Sequence, residues 1–312
     1  MYSEADREKM AAIVNEGLSQ VPEAAGITAK NDDFSADDSK NVIYWESEKN
    51  DAMGRDKIKK VLLSLITSRR SDTGQFYHFK SIEIARQMLQ SREIQLTGLG
   101  YLDENDRAEF SEFFKRCGFF ASLVDNSVEE FKKKIFVFCL TKDSRSQRFW
   151  DEYAQGDAGV CLAIRIAKFE ASYAPYWQFR DVIYDDGYRF EFINDIQYKI
   201  RKAFGKELFM QGTWMFARHY KRDKYSWENE ARISLDYVNG EYSGVLSSMC
   251  APEATRGATG GVQREFVRLP FKNRLFEIVV DEVICGKDVT NADMNRLDAI
   301  CKPQNIRVWR RV

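Results

Sequence analysis

Hydrophobic residues recur at helical or strand spacing along most of the chain, and their positions predict the elements of an α+β fold. Apolar residues on one face predict a helix over residues 4–18, and Ser3 and Asp6 form a capping box ahead of it. The same spacing predicts a second helix over residues 55–68. The polar, acidic stretch between them, residues 19–41, is expected to be a loop or linker.

Beyond Gly74, short strands and helices are expected in an irregular order. The apolar patterns predict strands at residues 75–79, 94–96, 135–140, 160–166, 230–238, 266–270, 276–285 and 306–309. Helices are predicted after Ser81 and at residues 110–117, 146–155 and 290–300, and a long helical stretch, which could be broken, at 188–222. This order indicates an α+β fold rather than a regular βαβ arrangement. We expect a helical, acidic N-terminal extension with a linker over residues 1–72 and a main domain over residues 73–312.

Composition places the chain among soluble globular proteins. Hydrophobic residues make up 44% and charged residues 30% of the 312 positions, which excludes collagen-like, mucin-like and wholly disordered classes. The net charge is −1 and indicates no particular partner. The sequence contains no apolar run of about 18 to 20 residues, so we expect no membrane span.

The remaining global features favour a cytoplasmic protein without a metal site. Residues 1–6 lack the basic and apolar regions of a signal peptide. None of the six cysteines forms a Cys-x-x-Cys pair, and several lie in apolar strands, which favours reduced thiols. With two histidines and no paired cysteines, a structural zinc site is not expected. The common phosphate-loop, dinucleotide-binding, zincin and nucleophile-elbow motifs do not occur in the sequence.

Two local clusters carry candidate binding residues. In the strand before Ser81, alternation places His78 on the face opposite Tyr77 and Phe79. If the two aromatic rings point into the core, His78 faces a cleft or solvent. In the helix at 146–155, Trp150 is expected in the core, whereas Tyr153 near the helix end could present its ring to a planar ligand.

A third cluster, Trp227–Leu235, carries candidate catalytic groups. In an extended strand, Glu228, Glu230 and Arg232 share one polar face. This face could be a solvated edge with a surface ion pair worth about 0 to 1 kcal/mol. Alternatively, one carboxylate could bind a hydroxyl or stabilise a developing cation, with Arg232 holding Glu230 ionised.

Taken in order, these motifs resemble a bacterial family of unknown function. The matching elements are Tyr77–Ser81, Asn105–Glu109, Trp150–Ala154, Gly159–Cys161, Glu228–Arg232 and Ile284–Gly286. The resemblance covers about residues 75–310. That family in turn looks like a divergent branch of the ADP-ribosyltransferase fold, of the type that uses His, Tyr and Glu. The resemblance implies a split β-sheet core surrounded by helices.

The resemblance also implies roles for individual residues, with NAD as the substrate. His78 would hydrogen-bond a ribose hydroxyl, Tyr153 would stack on nicotinamide, and Glu230 would bind the 2′-hydroxyl of the nicotinamide ribose. Glu228, two residues upstream, would orient the acceptor. Tyr77, Ser81 and Arg232 belong to the same motifs and are expected at the NAD site. A toxin or anti-phage defence effector that transfers ADP-ribose to a macromolecule is the implied function.

Partners and alternative functions stay open at this level. Residues 199–224 carry eight Lys/Arg and His219 against two acids, interleaved with Trp214, Phe216 and Tyr220. This stretch could be a solvated helical face, or a surface that docks NAD or a nucleic-acid acceptor. The acidic extension could contact a partner or inhibitor. The alternatives are a metal-dependent nuclease, using Glu228 and Glu230 with Asp185 and Arg232, and a non-catalytic nucleotide- or protein-binding module.

Overall fold

A computed structural model describes most of the chain outside a few segments. The described residues are 2–21, 28–37, 42–45, 74–102, 104–117, 128–169, 177–185, 190–210, 217–236, 253–256 and 262–312. The helix expected over residues 55–68 lies outside the described residues.

The described helices and strands alternate irregularly, as the sequence predicts for an α+β fold. The helices are α1 (Glu4–Ser19), α2 (Ile82–Ser91), α3 (Glu104–Arg116), α4 (Glu129–Lys134), α5 (Gln147–Tyr153), α6 (Glu191–Phe204) and α7 (Asn291–Cys301). The strands are β1 (Phe34–Asp37), β2 (Val42–Trp45), β3 (Gln75–Lys80), β4 (Glu93–Gly98), β5 (Ile135–Thr141), β6 (Val160–Phe169), β7 (Trp177–Asp181), β8 (Ile183–Asp185), β9 (Glu207–Met210), β10 (Tyr220–Arg222), β11 (Glu230–Asp236), β12 (Glu253–Arg256), β13 (Val262–Pro270), β14 (Phe276–Cys285) and β15 (Arg307–Arg310).

The chain divides into two compact units. The first unit contains Met1–Thr67, Asp103–Lys132 and Ile183–Lys224, and the second contains Ser68–Leu102, Lys133–Val182 and Tyr225–Val312. The single boundary expected from the sequence, between residues 72 and 73, lies near the first of these divisions. The later divisions have no counterpart among the expected boundaries.

The second unit is built on one mostly antiparallel sheet that splits at β5. Its order is β12-β13-β4-β5-β3-β6-β14-β15, with β11 paired to β5 and β7 paired to β11. One edge of β5 pairs with β11 along its whole length. The other edge pairs with β4 at Phe136 and Val137 and with β3 at Thr141. β3 and β4 therefore meet β5 at opposite ends.

Alternating side chains give this sheet two different faces. One face, here called the α2 face, packs against α2 and α7 and carries the main apolar core, which includes Phe138, Leu140 and Leu162. The opposite face, here called the α5 face, packs against α5 and carries a smaller cluster that includes Phe79 and Cys161. Both faces of this part of the sheet are therefore covered, which explains why β5 and β6 read as nearly continuous apolar runs.

The first unit combines helices with two small sheets. The order β1-β2-β9 forms one sheet, and β8 and β10 form a parallel pair. β1 corrects the loop expected at 19–41, because Phe34 buries its side chain in a strand within that stretch. β2 follows the stretch, and its Ile43 and Trp45 are also buried. The helical stretch expected over 188–222 is broken. Helix α6 ends at Phe204, its C-cap Gly205 has a left-handed φ of 67°, and β9 follows.

Candidate active site

Three neighbouring strands place Tyr77, Thr141 and Glu230 in one row across the sheet. Thr141 is the register partner of Tyr77 on one side and of Glu230 on the other. Register partners point to the same face, and adjacent strands lie about 4.8 Å apart. The three side chains therefore project from the α5 face, and the row that they form spans about 10 Å.

Glu230 and Arg232 form a buried ion pair on this face. Arg232 Nε donates to Glu230 Oε1 at 2.7 Å, and Arg232 Nη2 donates to Oε2 at 3.1 Å. The two side chains are 6% and 1% exposed, respectively. The solvated edge considered from the sequence is wrong, because β11 lies between β5 and β7 rather than at the sheet margin. The two-pronged geometry is the strong form of Arg–carboxylate contact.

Glu228 does not belong to the strand, so strand alternation does not fix its direction. It ends a 3₁₀ helix over Asp223–Glu228, and Asn229 then takes a left-handed φ of 42° before β11 begins. The Glu228 side chain is buried, and its backbone carbonyl accepts a hydrogen bond from Thr141 Oγ1 at 2.7 Å. The two carboxylates thus lie on either side of a sharp turn.

Helix α5 brings Tyr153 to the α5 face. Phe149 stacks on Phe79 with ring centroids 5.3 Å apart, and Trp150 meets the same ring edge-on, so both belong to the core. Tyr153 lies on the helix, 40% exposed, with its ring 5.9 Å from that of Phe149. Trp227 also contacts Phe149, at 5.1 Å. An exposed tyrosine and a buried carboxylate therefore belong to the same face.

His78 lies on the other face of the sheet. Its ring is 4.3 Å from that of Phe138, and its Nδ1 donates to the Cys139 carbonyl at 2.9 Å. Only 7% of the side chain is exposed, so the expectation that it faces a cleft or solvent is wrong. Burial, and secondarily the charge of Lys80, lowers the pKa of His78 well below its usual value. The register does not bring His78 together with Glu230.

Ser81 and Tyr77 have local partners. The Ser81 hydroxyl accepts from the backbone N–H of Ile84 at 3.4 Å, so the predicted capping of α2 is confirmed. The Tyr77 hydroxyl donates to Gln75 Oε1 at 3.1 Å, and its half-buried ring packs against the α5-face cluster. Their roles in NAD binding stay predictions.

The structure adds one residue to this region and gives a physical reason for two others. Thr141 follows an apolar strand and offered no motif, yet it lies between Tyr77 and Glu230. Gly159 and Gly286 appeared in the sequence motifs without a reason. A Cβ at Gly159 would clash with the Ala154 carbonyl, and one at Gly286 would clash with the carbonyl of Asp157. These glycines allow the end of α5 to pack against β6 and β14.

The basic stretch 199–224 is broken into several elements. Arg218, His219 and Lys221 are buried, and Arg222 makes hydrogen bonds of 2.5 to 2.8 Å to the carboxylate of Glu109 in α3. Trp214 and Phe216 lie outside the described residues, and Tyr220 is buried. A continuous docking surface along this stretch is therefore unsupported.

The residues considered for a nuclease fall in different units of the chain. Asp185 ends β8 in the first unit, whereas Glu228 and Glu230 belong to the second. Across the described residues, no group of three or more His, Cys, Asp or Glu side chains is arranged to hold a metal ion.

Comparison with known proteins gives one partial match. The chain is similar over residues 149–233 to a protein family of unknown function (DUF2971). This segment contains Tyr153, Glu228, Glu230 and Arg232, so the expected resemblance to such a family is supported there. No curated protein and no solved structure matches the chain. None of the described helices is both long and apolar enough to span a membrane.

Proposed function

We propose that the chain is an NAD-dependent ADP-ribosyltransferase whose catalytic carboxylate is Glu230. The observation that carries the proposal is the row Tyr77–Thr141–Glu230 on the α5 face, where Arg232 holds the carboxylate in a two-pronged pair. The split of the sheet at β5 supports the fold that the family resemblance implies.

A fixed, buried carboxylate suits cleavage of the bond between nicotinamide and ribose. As the C1′–N bond breaks, its electron pair leaves with nicotinamide, which departs neutral, and positive charge develops on the ribose. Glu230 would accept a hydrogen bond from the ribose 2′-hydroxyl and stabilise that charge, an effect that is larger where water is excluded. Arg232 would keep the carboxylate oriented during the step.

The other residues would bind the leaving group and the acceptor. Tyr153 is exposed enough to stack on the nicotinamide ring. Glu228 would accept the proton that the acceptor hydroxyl or amine loses when it bonds to C1′. The proposal includes transfer of ADP-ribose to a macromolecule, in a cytoplasmic toxin or anti-phage effector.

The proposal is tested by following nicotinamide release from NAD with purified wild-type protein and the Tyr153→Ala variant. We expect release that is insensitive to EDTA, and a KM for NAD about tenfold higher in Y153A, because stacking on one aromatic ring is worth about 1 to 3 kcal/mol. Tyr198→Ala is the matched control, since Tyr198 is an exposed tyrosine on α6. Its kinetics should equal those of the wild type.

Two results would contradict the proposal. One is an absence of nicotinamide release even when cell lysate is supplied as acceptor. The other is degradation of DNA or RNA that needs Mg²⁺ and stops with EDTA, which would favour the nuclease. Radiolabelled NAD in the same assay separates free ADP-ribose from labelled macromolecules.

A further inference from the structure

Thr141 is the residue that connects the strands of the candidate site to the turn between the two carboxylates. Its side chain is 4% exposed. The Oγ1 atom donates to the Glu228 carbonyl at 2.7 Å and accepts from the Asp143 backbone N–H at 3.0 Å. A threonine hydroxyl has one proton, and here that proton is used on the turn.

The turn itself adopts an unusual backbone conformation. Asn229 has a φ of 42°, in the left-handed region that asparagine tolerates better than most residues. Its N–H donates to the Ser226 carbonyl at 3.2 Å, and its own carbonyl accepts from Lys142 N–H at 3.0 Å. Directly after the turn, the Glu230 carbonyl accepts a hydrogen bond from the Val182 N–H at 2.8 Å. Such conformations persist where the surrounding structure holds them, often at functional sites.

We propose that Thr141 is a positioning residue, which sets the placement of Glu228 relative to Glu230 through its hydrogen bond to the Glu228 carbonyl. This inference rests on the proposed function for its catalytic consequence. Loss of the hydroxyl would leave the Glu228 carbonyl and the Asp143 N–H without this partner, and the turn would relax. The ring of Tyr153, on α5, would stay in place, so NAD binding would change little.

The test compares Thr141→Val, which keeps the shape without the hydroxyl, with Thr141→Ser, which keeps the hydroxyl. We expect kcat for nicotinamide release to fall about 10- to 100-fold in T141V with KM for NAD within about twofold of wild type. T141S should restore most of the lost kcat. If Thr141 had only a structural role, T141V would contain less active protein, and its effect on kcat would not depend on Glu228.

That coupling is measured with a double-mutant cycle. If Thr141 acts through Glu228, the effect of Glu228→Gln on kcat should be several-fold smaller in the T141V background than in wild type. Independent effects that multiply would overturn the proposal, as would an unchanged kcat in T141V.

A second measurement needs no activity. Amide hydrogen exchange at Asn229–Ala231 should be about tenfold faster in T141V than in wild type or T141S, because the turn opens more readily. Unchanged exchange in T141V would overturn the positioning role. Wild-type protein that releases no nicotinamide would instead overturn the proposed function, and the exchange result would still decide how the turn is held.

Discussion

At the residue scale, the clearest sign of function is the buried pair of Glu230 and Arg232. Removing two charges from water costs several kcal/mol each, and an apolar pair of similar size often gives equal or greater stability. If stability alone mattered, apolar residues would therefore be expected at positions 230 and 232 of this interior strand. A charged pair beside Tyr77 and Thr141 is better explained by chemistry that needs a fixed carboxylate.

His78 should make the stability of the protein depend on pH. Burial lowers its folded-state pKa, so below about pH 6.5 the unfolded chain binds a proton that the folded chain does not. This contribution is complete above that pH and is lost as the pH falls toward the folded-state pKa. In His78→Asn the amide can still donate to the Cys139 carbonyl, but the side chain does not titrate.

Urea unfolding of both proteins at pH 7.5 and 5.5 measures this effect. Between the two values the wild type should lose about 1 kcal/mol more of its free energy of unfolding than H78N. All other titrating groups, His219 included, are common to the two proteins and cancel in the comparison. Parallel losses in both proteins would contradict the assignment of a lowered pKa to His78.

At the element scale, strongly periodic segments were predicted well. The capping box of α1, the cap of α2, the start of α7 at Thr290, and strands β5, β6 and β14 agree with the sequence analysis. The three helices start at a side-chain cap, and the three strands are long apolar or alternating runs, so local sequence determines these elements. The short strands β2, β9 and β10 were missed, because strands of three or four residues depend on partners that here are distant in sequence.

The close packing of Gly159 against the end of α5 predicts a loss of stability when its side chain is enlarged. Gly159 has an extended backbone, but a Cβ there would meet the backbone of Ala154 at the end of α5. Gly159→Ala should therefore lower the free energy of unfolding by about 3 kcal/mol or more, since backbone atoms cannot move aside cheaply. Gly156→Ala is the matched control, because Gly156 has a φ of 66° and no atom within 4 Å of its Cβ position.

The control should lose only the cost of a left-handed alanine, about 1 to 2 kcal/mol. Urea unfolding of G159A, G156A and wild type in one buffer gives both values. Equal losses in the two variants would show that the close approach of Gly159 to Ala154 does not matter.

At the scale of the whole molecule, the candidate site is assembled from four separate segments of the second unit. β3 supplies Tyr77, β5 supplies Thr141, α5 supplies Tyr153 and β11 supplies Glu230. Sequence motifs identified three of these four residues, because Tyr, Glu and their neighbours form recognisable clusters. Strand register decides which residues become neighbours, and it is not encoded locally. Thr141 was therefore missed, and the positions of His78 and Glu230 on opposite faces of the sheet were not predicted.

The effect of a Glu230 substitution on catalysis must be separated from its effect on folding. Glu230→Gln removes the negative charge from the buried pair with Arg232, and breaking a buried pair can cost about 3 to 5 kcal/mol. The double variant Glu230→Gln/Arg232→Met removes both charges and should recover most of that stability. Thermal unfolding of both variants shows whether each is folded at the assay temperature.

The rate of nicotinamide release from NAD, compared between wild type, E230Q and the double variant, tests the central claim most directly. If Glu230 stabilises the developing cation, both folded variants should show kcat reduced by about 100- to 1,000-fold, whatever their stability. Release by a folded E230Q variant at the wild-type rate would contradict the assignment of Glu230 as the catalytic carboxylate.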